Sequence, residues 1–326
     1  MNSEILLSIC IPTYNRAGYL EKALESIVTQ NSFNNTKIEV LVSDNASEDN
    51  TQDIAYKFQT KYPNIIYTRN PTNVGAERNI FKLLSSAKGD YIFLLTDDDI
   101  LLPFALSKLM TIIVTKPECS VFLSSYEVFL EKRKRLDTRH TFKQSQYIYK
   151  NEIKKIVRFF NASSVASRIC IKKEFLDLEG FKRHIDSMYP CMYLVGYAAL
   201  NGLAFYIAEP LVRHIGENQI FWSYKTDYML GYKIELIKDL GQFDKRFYPA
   251  ALSYFLNNDI PSSIIEVIVK HRNQLPTLIK AINSNQIFQA HPLLWIIIIW
   301  RVIWLFCGII IRKLVRLSKN WVYKFS

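Results

Sequence analysis

Gly89–Pro103 reads GDYIFLLTDDDILLP: a short apolar run, Tyr91–Leu95, that opens into Thr96 and three consecutive aspartates, Asp97, Asp98 and Asp99. An apolar run bounded by polar residues is a buried strand. Three adjacent carboxylates repel one another and raise each other's pKa. A divalent cation relieves that repulsion, and Mg2+ or Mn2+ prefers carboxylate oxygen and commonly bridges to substrate phosphates. The triplet therefore points to a metal–diphosphate site. A solvated acidic turn capping the next helix is the plainer alternative.

Working outward, the same alternation repeats upstream. Leu6–Pro12 and Glu39–Ser43 are apolar runs that read as strands, and Ile65–Thr68 is a third. Between them, Leu20, Ala23, Leu24, Ile27 and Val28 recur at helical spacing, and Asn50–Lys61 and Arg78–Ser86 read as two further helices. Strand and helix alternating four times in about 100 residues predicts a mostly parallel α/β sheet with helices on both faces. Ligands of such sheets sit beyond the carboxyl ends of the strands. Four segments occupy those ends: Pro12–Arg16, Ser43–Ser47, Arg69–Arg78 and Thr96–Asp99. No Gly-x-Gly-x-x-Gly follows the first strand and no P-loop is present, which disfavours a dehydrogenase-type or P-loop nucleotide site.

After Pro103 the pattern loosens. Phe104–Thr115, Tyr193–Asn201, Asp227–Leu240, Pro249–Asn257, Ser262–Arg272 and Leu275–Asn283 read as helices. Ser120–Phe129, Arg158–Ile171 and Leu203–Glu209 look strand-containing, and Lys132–Arg135 reads as a basic turn. The five cysteines are scattered without a Cys-x-x-Cys, so they read as buried thiols rather than a zinc site or disulfide framework. Hydrophobic residues make up 49% of the 326, enough for a large core, which excludes a disordered chain. The net charge of +11 is uneven: residues 1–100 hold 9 basic and 13 acidic side chains, so the basic excess lies away from the triplet. That distribution argues against a nucleic-acid surface.

SICIPTYNRAGYLEKALESI, VLVSDNASEDNT, RNPTNVGAERN and GDYIFLLTDDDILLP, in that order over residues 5–103, resemble the family 2 glycosyltransferases, and the triplet variant resembles abequosyltransferase-like bacterial enzymes of O-antigen or capsule assembly. The resemblance implies a GT-A fold and inverting, metal-dependent transfer of a sugar from a nucleotide-sugar donor. It implies that Pro12, Thr13 and Tyr14 line the base, that Arg16 lies near the diphosphate, and that Asp44 bonds the base or ribose. Asn73 and Arg78 would flank the sugar or phosphates. Asp98 would face ribose or metal, Asp99 would bind Mg2+ or Mn2+, and Asp97 would stand behind them. His214 or Arg213 would approach phosphate or metal. Asp44 also reads as a helix cap, and Tyr14 and Arg78 as surface residues. Many members carry a Glu-Asp pair in the second half, but His184–Cys191 has none near Pro190. Asp186 is the nominated base, with Glu179, Asp177 and His184 in reserve. The missing pair leaves a non-catalytic nucleotide-sugar-binding or scaffold protein as the alternative.

Three regions follow: a GT-A domain over 1–220, divided into a donor half (1–103) and an acceptor half (104–220); a helical region over 221–290; and a tail over 291–326. Leu293–Ile311 is rich in Ile and Trp and interrupted by Arg301. As a helix it would be roughly 28 Å long, and Arg301 at mid-membrane would cost about 2.5–3.5 kcal/mol. Arg312–Phe325 is a basic amphipathic helix, with Leu314, Leu317, Trp321 and Phe325 on one stripe. The positive-inside rule puts this segment on the cytosolic side, where nucleotide sugars are. A single span would separate it from residues 1–290, so an in-plane or re-entrant pair on the cytoplasmic face of the bacterial inner membrane is expected. A core or oligomer helix is the other reading. Ile5–Ile11 is too short and follows Glu4, so it is a strand rather than a signal peptide. A membrane-docked transferase implies a lipid-linked acceptor, a glycan on a polyprenyl diphosphate.

Overall fold

The computed structural model describes residues 4–34, 36–130, 135–187, 190–215 and 226–259, with positions 299 and 302. They begin with β1 (Leu7–Thr13), α1 (Ala17–Val28), β2 (Ile38–Asp44), α2 (Thr51–Lys61), β3 (Ile65–Arg69), α3 (Ala76–Ser86) and β4 (Tyr91–Leu94). There follow β5 (Asp99–Leu101), α4 (Ala105–Thr115), β6 (Cys119–Leu130), β7 (Arg135–Arg139), β8 (Gln146–Ile148), α5 (Ile153–Ala162) and β9 (Ile169–Lys172). The last elements are α6 (Leu178–Arg183), α7 (Pro190–Asn201), β10 (Leu203–His214), α8 (Thr226–Leu240) and α9 (Phe247–Tyr254).

The main sheet runs β3-β2-β1-β4-β9-β6-β10-β5. The first four strands are parallel, as the alternation predicts. Chain order runs outward from β1 through β2 to β3, then returns to place β4 on the other side of β1. The loops after β1 and β4 therefore diverge at a topological switch point, where doubly wound sheets bind ligands. Beyond β4 the sheet is mixed. β9 is antiparallel to both β4 and β6, while β6 and β10 are parallel to each other. The stretch Arg158–Ile171 does contain a strand, β9, at its end, but its first part closes α5, whose Ile156, Val157, Phe159 and Phe160 are buried. Nor does Pro210 end the strand before it. β10 passes through Pro210 with a register shift against β6, the way a residue lacking an N–H is tolerated in a sheet, and continues to His214.

Burial explains the order. Six of the seven residues of β1 and all seven of β2 are buried, the mark of strands covered on both faces. α1 buries Leu20, Ala23, Leu24 and Ile27 along one stripe, and the three large side chains join the same core as these strands, each contributing about 1.5–3 kcal/mol. Inside this core Glu39 accepts hydrogen bonds from the Ser8 hydroxyl (2.6 Å) and the Lys88 N–H (2.7 Å). The Gly89 N–H donates to Ser8 Oγ at 2.8 Å. A Cβ on Gly89 would meet the Ser8 nitrogen at 2.6 Å, so only glycine lets the chain enter β4 this close to β1. Cys10, Cys119, Cys170 and Cys191 are buried free thiols, and burial pushes all four up, Cys119 and Cys191 to about 12.

Residues 1–223 with 242–244 form one compact unit, and residues 224–241 with 245–326 a second. In the second unit α8 matches the helix read at Asp227–Leu240. α9 ends at Tyr254 and passes into a wider turn over Phe255–Asp259. The helices read at Ser262–Arg272 and Leu275–Asn283, and the tail, lie outside the described residues. Among the described residues no helix is long and apolar enough to cross a membrane.

Candidate active site

β1, β2 and β4 end at one edge of the sheet and deliver Thr13–Arg16, Asp44–Ser47 and Leu95–Asp99 there. The first two loops lock together. The Asn15 N–H donates to Ser47 Oγ (2.8 Å), and Asn15 Oδ1 accepts from the Glu48 N–H (2.7 Å). Asn15 and Ala46 hold positive φ, at 52° and 66°, a strain that this cross-linking sustains and that concentrates at functional sites.

The acidic triplet has three distinct surroundings. Arg16 Nη1 lies 2.9 Å from Asp97 Oδ1 and 3.0 Å from Asp98 Oδ2. Burial pushes the Asp97 carboxyl up to about 6 despite the pull of Arg16. Thr13 lies beside Asp97, and its buried hydroxyl draws that carboxyl's pKa down. Asp99 begins β5, which pairs antiparallel with the end of β10 in a register that sets His214 opposite Asp99. His214 Nδ1 and Asp99 Oδ1 are 2.7 Å apart, and this hydrogen bond, outweighing burial, pushes the imidazole pKa up. Side-chain alternation along β10 turns Arg213 to Glu127 instead, at 2.7 Å. Of the two residues expected near phosphate or metal, the structure brings His214 to the acids.

Asp98, Asp99 and His214 each offer a ligand atom, all within 4.8 Å of one another. Two carboxylates and an imidazole suit Mg2+ or Mn2+. His214 Nδ1 faces Asp99 Oδ1, so a cation held by both side chains would take the place of the hydrogen bond between them.

Asp44 is fully buried and its carboxylate is engaged. Oδ1 accepts from the Ser47 N–H (2.9 Å) and hydroxyl (2.5 Å), while Oδ2 accepts from the Tyr67 hydroxyl (2.8 Å) and pairs with Arg69 Nε at 3.3 Å. In this arrangement it organises the loop Asn45–Ser47. Asn73 Oδ1 accepts from Asn45 Nδ2 (2.7 Å) and from the Gly75 N–H, so it ties the loop before α3 to the end of β2. Pro12 is half-buried near the end of β1, and Tyr14, two residues on, is 41% exposed.

Arg78 and Asp186, 108 residues apart, form an exposed ion pair at 2.7 Å. The nominated base thus stands against the donor half. Glu77, which sequence reasoning missed, is half-buried on the first turn of α3. Burial, with a further push from Asp186, raises its carboxyl pKa. Asp177 is committed to structure: it caps α6 by accepting from the Gly180 N–H and from the Tyr193 hydroxyl (2.7 Å). The His184 ring packs at a tilt against Tyr193, and Glu179 lies in the first turn of α6. Tyr67 and Arg69 were also missed as supports of Asp44, although both lie within or beside the RNPTNVGAERN stretch.

With this geometry in view, the comparisons with known proteins are specific. The model of Glycosyl transferase family 2 matches residues 8–175. The abequosyltransferase RfbV of Salmonella typhimurium is 31% identical over 238 residues, covering 67% of this chain and 68% of that protein. A Campylobacter jejuni GalNAc(5)-diNAcBac-PP-undecaprenol beta-1,3-glucosyltransferase is 39% identical over 105 residues, about a third of each chain. Among solved structures, S. aureus TarS 1-349 in complex with UDP-GlcNAc superposes with a TM-score of 0.61 at 17% identity, over 86% of this chain and 80% of that one. The Pyrobaculum calidifontis mannosyltransferase PcManGT, in complex with GDP-Man and Mn2+, superposes with 0.55 at 13% identity, over 91% and 86%. The chain belongs to glycosyl transferase family 2: it is a glycosyltransferase with a GT-A-like α/β fold whose sheet is mixed in its second half.

Proposed function

We propose that the protein is an inverting, metal-dependent transferase that moves a sugar from a nucleotide sugar to a glycan on a polyprenyl diphosphate during surface polysaccharide assembly. The observation that carries this reading is the convergence of Asp98, Asp99 and His214 beside Arg16 at the switch point of the sheet. A divalent Mg2+ or Mn2+ held by these three side chains would supply neutralising charge to the diphosphate leaving group. Arg16, on the same edge, adds a fixed positive charge, and Asp97 holds that guanidinium in place. Tyr14 offers an exposed aromatic face for the base, next to Pro12 and Thr13. Asp44 and Asn73 shape the base and ribose loop through Ser47 and Asn45.

Asp186 is the proposed base. As the acceptor hydroxyl oxygen attacks the anomeric carbon, its proton passes to the Asp186 carboxylate. The bond from that carbon to the diphosphate oxygen breaks, and the nucleoside diphosphate leaves with the electron pair. One in-line displacement inverts the anomeric centre. Arg78 holds Asp186 at the donor half until the negatively charged donor competes for the guanidinium. The lipid-linked acceptor is suggested by the undecaprenol-linked glycan in the name of the Campylobacter relative and by the apolar, basic tail over 291–326, which supports peripheral attachment to the cytoplasmic face of the membrane.

The test is nucleoside diphosphate release from a panel of nucleotide sugars with Mn2+, with and without a lipid-linked acceptor. Release that depends on acceptor supports transfer, and donor binding without release in any combination supports the non-catalytic alternative. Asp186→Asn should abolish transfer and keep donor binding, and near-normal turnover would remove Asp186 from the mechanism.

A further inference from the structure

The acidic triplet is held from behind by residues of the acceptor half. Ser167 lies in the 3-10 turn Ala166–Arg168, just before β9, and is fully buried. Its Oγ is 2.8 Å from the Thr96 nitrogen and 2.6 Å from Thr96 Oγ1. Thr96 Oγ1 donates to Asp99 Oδ2 at 3.0 Å.

The proton inventory gives this chain one direction. The Thr96 N–H can only donate, so Ser167 Oγ accepts it. Thr96 spends its single hydroxyl proton on Asp99 Oδ2, which accepts it. Thr96 Oγ1 must then be the acceptor for the Ser167 hydroxyl proton. The order runs from Thr96 N–H to Ser167 O–H to Thr96 O–H to Asp99 Oδ2, each bond polarising the next. Asp99 Oδ1 is taken by His214. Both oxygens of one candidate ligand are therefore oriented, one from β10 and the other from the turn before β9.

We propose that Ser167 and Thr96 are positioning residues that orient Asp99 for its cation. Their placement suits that task. β9 is hydrogen-bonded between β4, which carries the triplet, and β6, so the turn before it is anchored to the same sheet. Neither hydroxyl is needed to fill space, since an aliphatic side chain of similar volume would do that, and a buried serine is retained at no loss only if its hydrogen bonds are made. Outer partners of this kind typically change metal affinity 10- to 100-fold, roughly, when removed.

This inference rests on the reading of Asp98, Asp99 and His214 as a cation site, and the experiment separates the two. Mn2+ alone is titrated into the full chain and free Mn2+ is read by its electron paramagnetic resonance signal, for wild type, Thr96→Val, Thr96→Ser and Ser167→Ala. Thr96→Val keeps shape and removes the donor; Thr96→Ser keeps the donor. The relay predicts about 10-fold weaker Mn2+ binding for Thr96→Val and Ser167→Ala, and binding within about twofold of wild type for Thr96→Ser. Wild-type affinity in Thr96→Val would overturn the relay while leaving the cation site intact, and this holds even if Ser167→Ala fails to fold. Equal weakening in Thr96→Val and Thr96→Ser would also overturn it, because loss would then follow packing rather than the hydroxyl. Wild type that binds no Mn2+ would overturn the cation reading itself, and the relay with it.

Discussion

Removing Arg16 is the most informative perturbation of the site, because its effect should depend on pH in a way that the geometry dictates. The guanidinium lies 2.9 Å from Asp97 and 3.0 Å from Asp98. At an effective dielectric of about 20 each contact is worth about 5.5 kcal/mol of gross Coulomb attraction. Arg16 is about one-third exposed and loses hydration to make the pairs, so the net value is much smaller. Protonation sets a ceiling for Asp97. Its carboxyl already sits at about 6 with Arg16 present. Without the arginine the pKa rises further, and once it passes the working pH the carboxyl takes up a proton. At pH 8 the Asp97 part of the loss is therefore limited to about 3 kcal/mol. At pH 5 Asp97 is protonated either way, and that part disappears. Arg16→Met should lower the melting temperature by about 4 °C or more at pH 8, and by clearly less at pH 5. Differential scanning fluorimetry at the two pH values measures this. An equal drop at both, or none at pH 8, would refute the reasoning.

Asp97→Asn tests the same balance from the other side. A carboxyl pushed up to about 6 is stabilising while protonated, and that contribution is lost as pH rises from about 4 through about 6. The variant should thus be up to about 3 kcal/mol more stable than wild type at pH 7 and no more stable at pH 4, by urea denaturation in the absence of metal. Gly89→Ala should lose about 3 kcal/mol or more, because the new Cβ meets backbone atoms of Leu7 and Ser8 within 2.9 Å; a melting temperature within a degree of wild type would contradict the β1–β4 packing. Deleting residues 291–326 should move the protein from the membrane pellet to the supernatant in a fractionation experiment, and unchanged recovery in the pellet would rule out the anchor.

The donor half was legible because its information is local. Leu20, Ala23, Leu24 and Ile27 declare a helix by spacing alone, and β1, β2 and β4 declare themselves as unbroken apolar runs. The acceptor half was less so, because its order depends on partners distant in the chain. Residues 158–171 look strand-containing, but nothing in them announces the helix that precedes the strand or its antiparallel pairing with β4. A proline that usually marks a strand's end is instead absorbed at a register shift. The site divides the same way. Asp97–Asp99 stand out in any reading, whereas the pairing of His214 with Asp99 spans 115 residues and that of Arg78 with Asp186 spans 108. Those pairings follow from sheet register and chain return, which no spacing rule encodes. Ser167 and Thr96 carry no signal at all as isolated hydroxyl residues; only the fold sets them behind Asp99.

Crystals grown with Mn2+ and a nucleotide sugar should show a single Mn2+ anomalous-scattering peak within ligand distance of the Asp98, Asp99 and His214 side chains, with the donor diphosphate beside it. A peak elsewhere on the protein, or a donor bound at this edge of the sheet with no peak beside these three side chains, would contradict the proposed cation site.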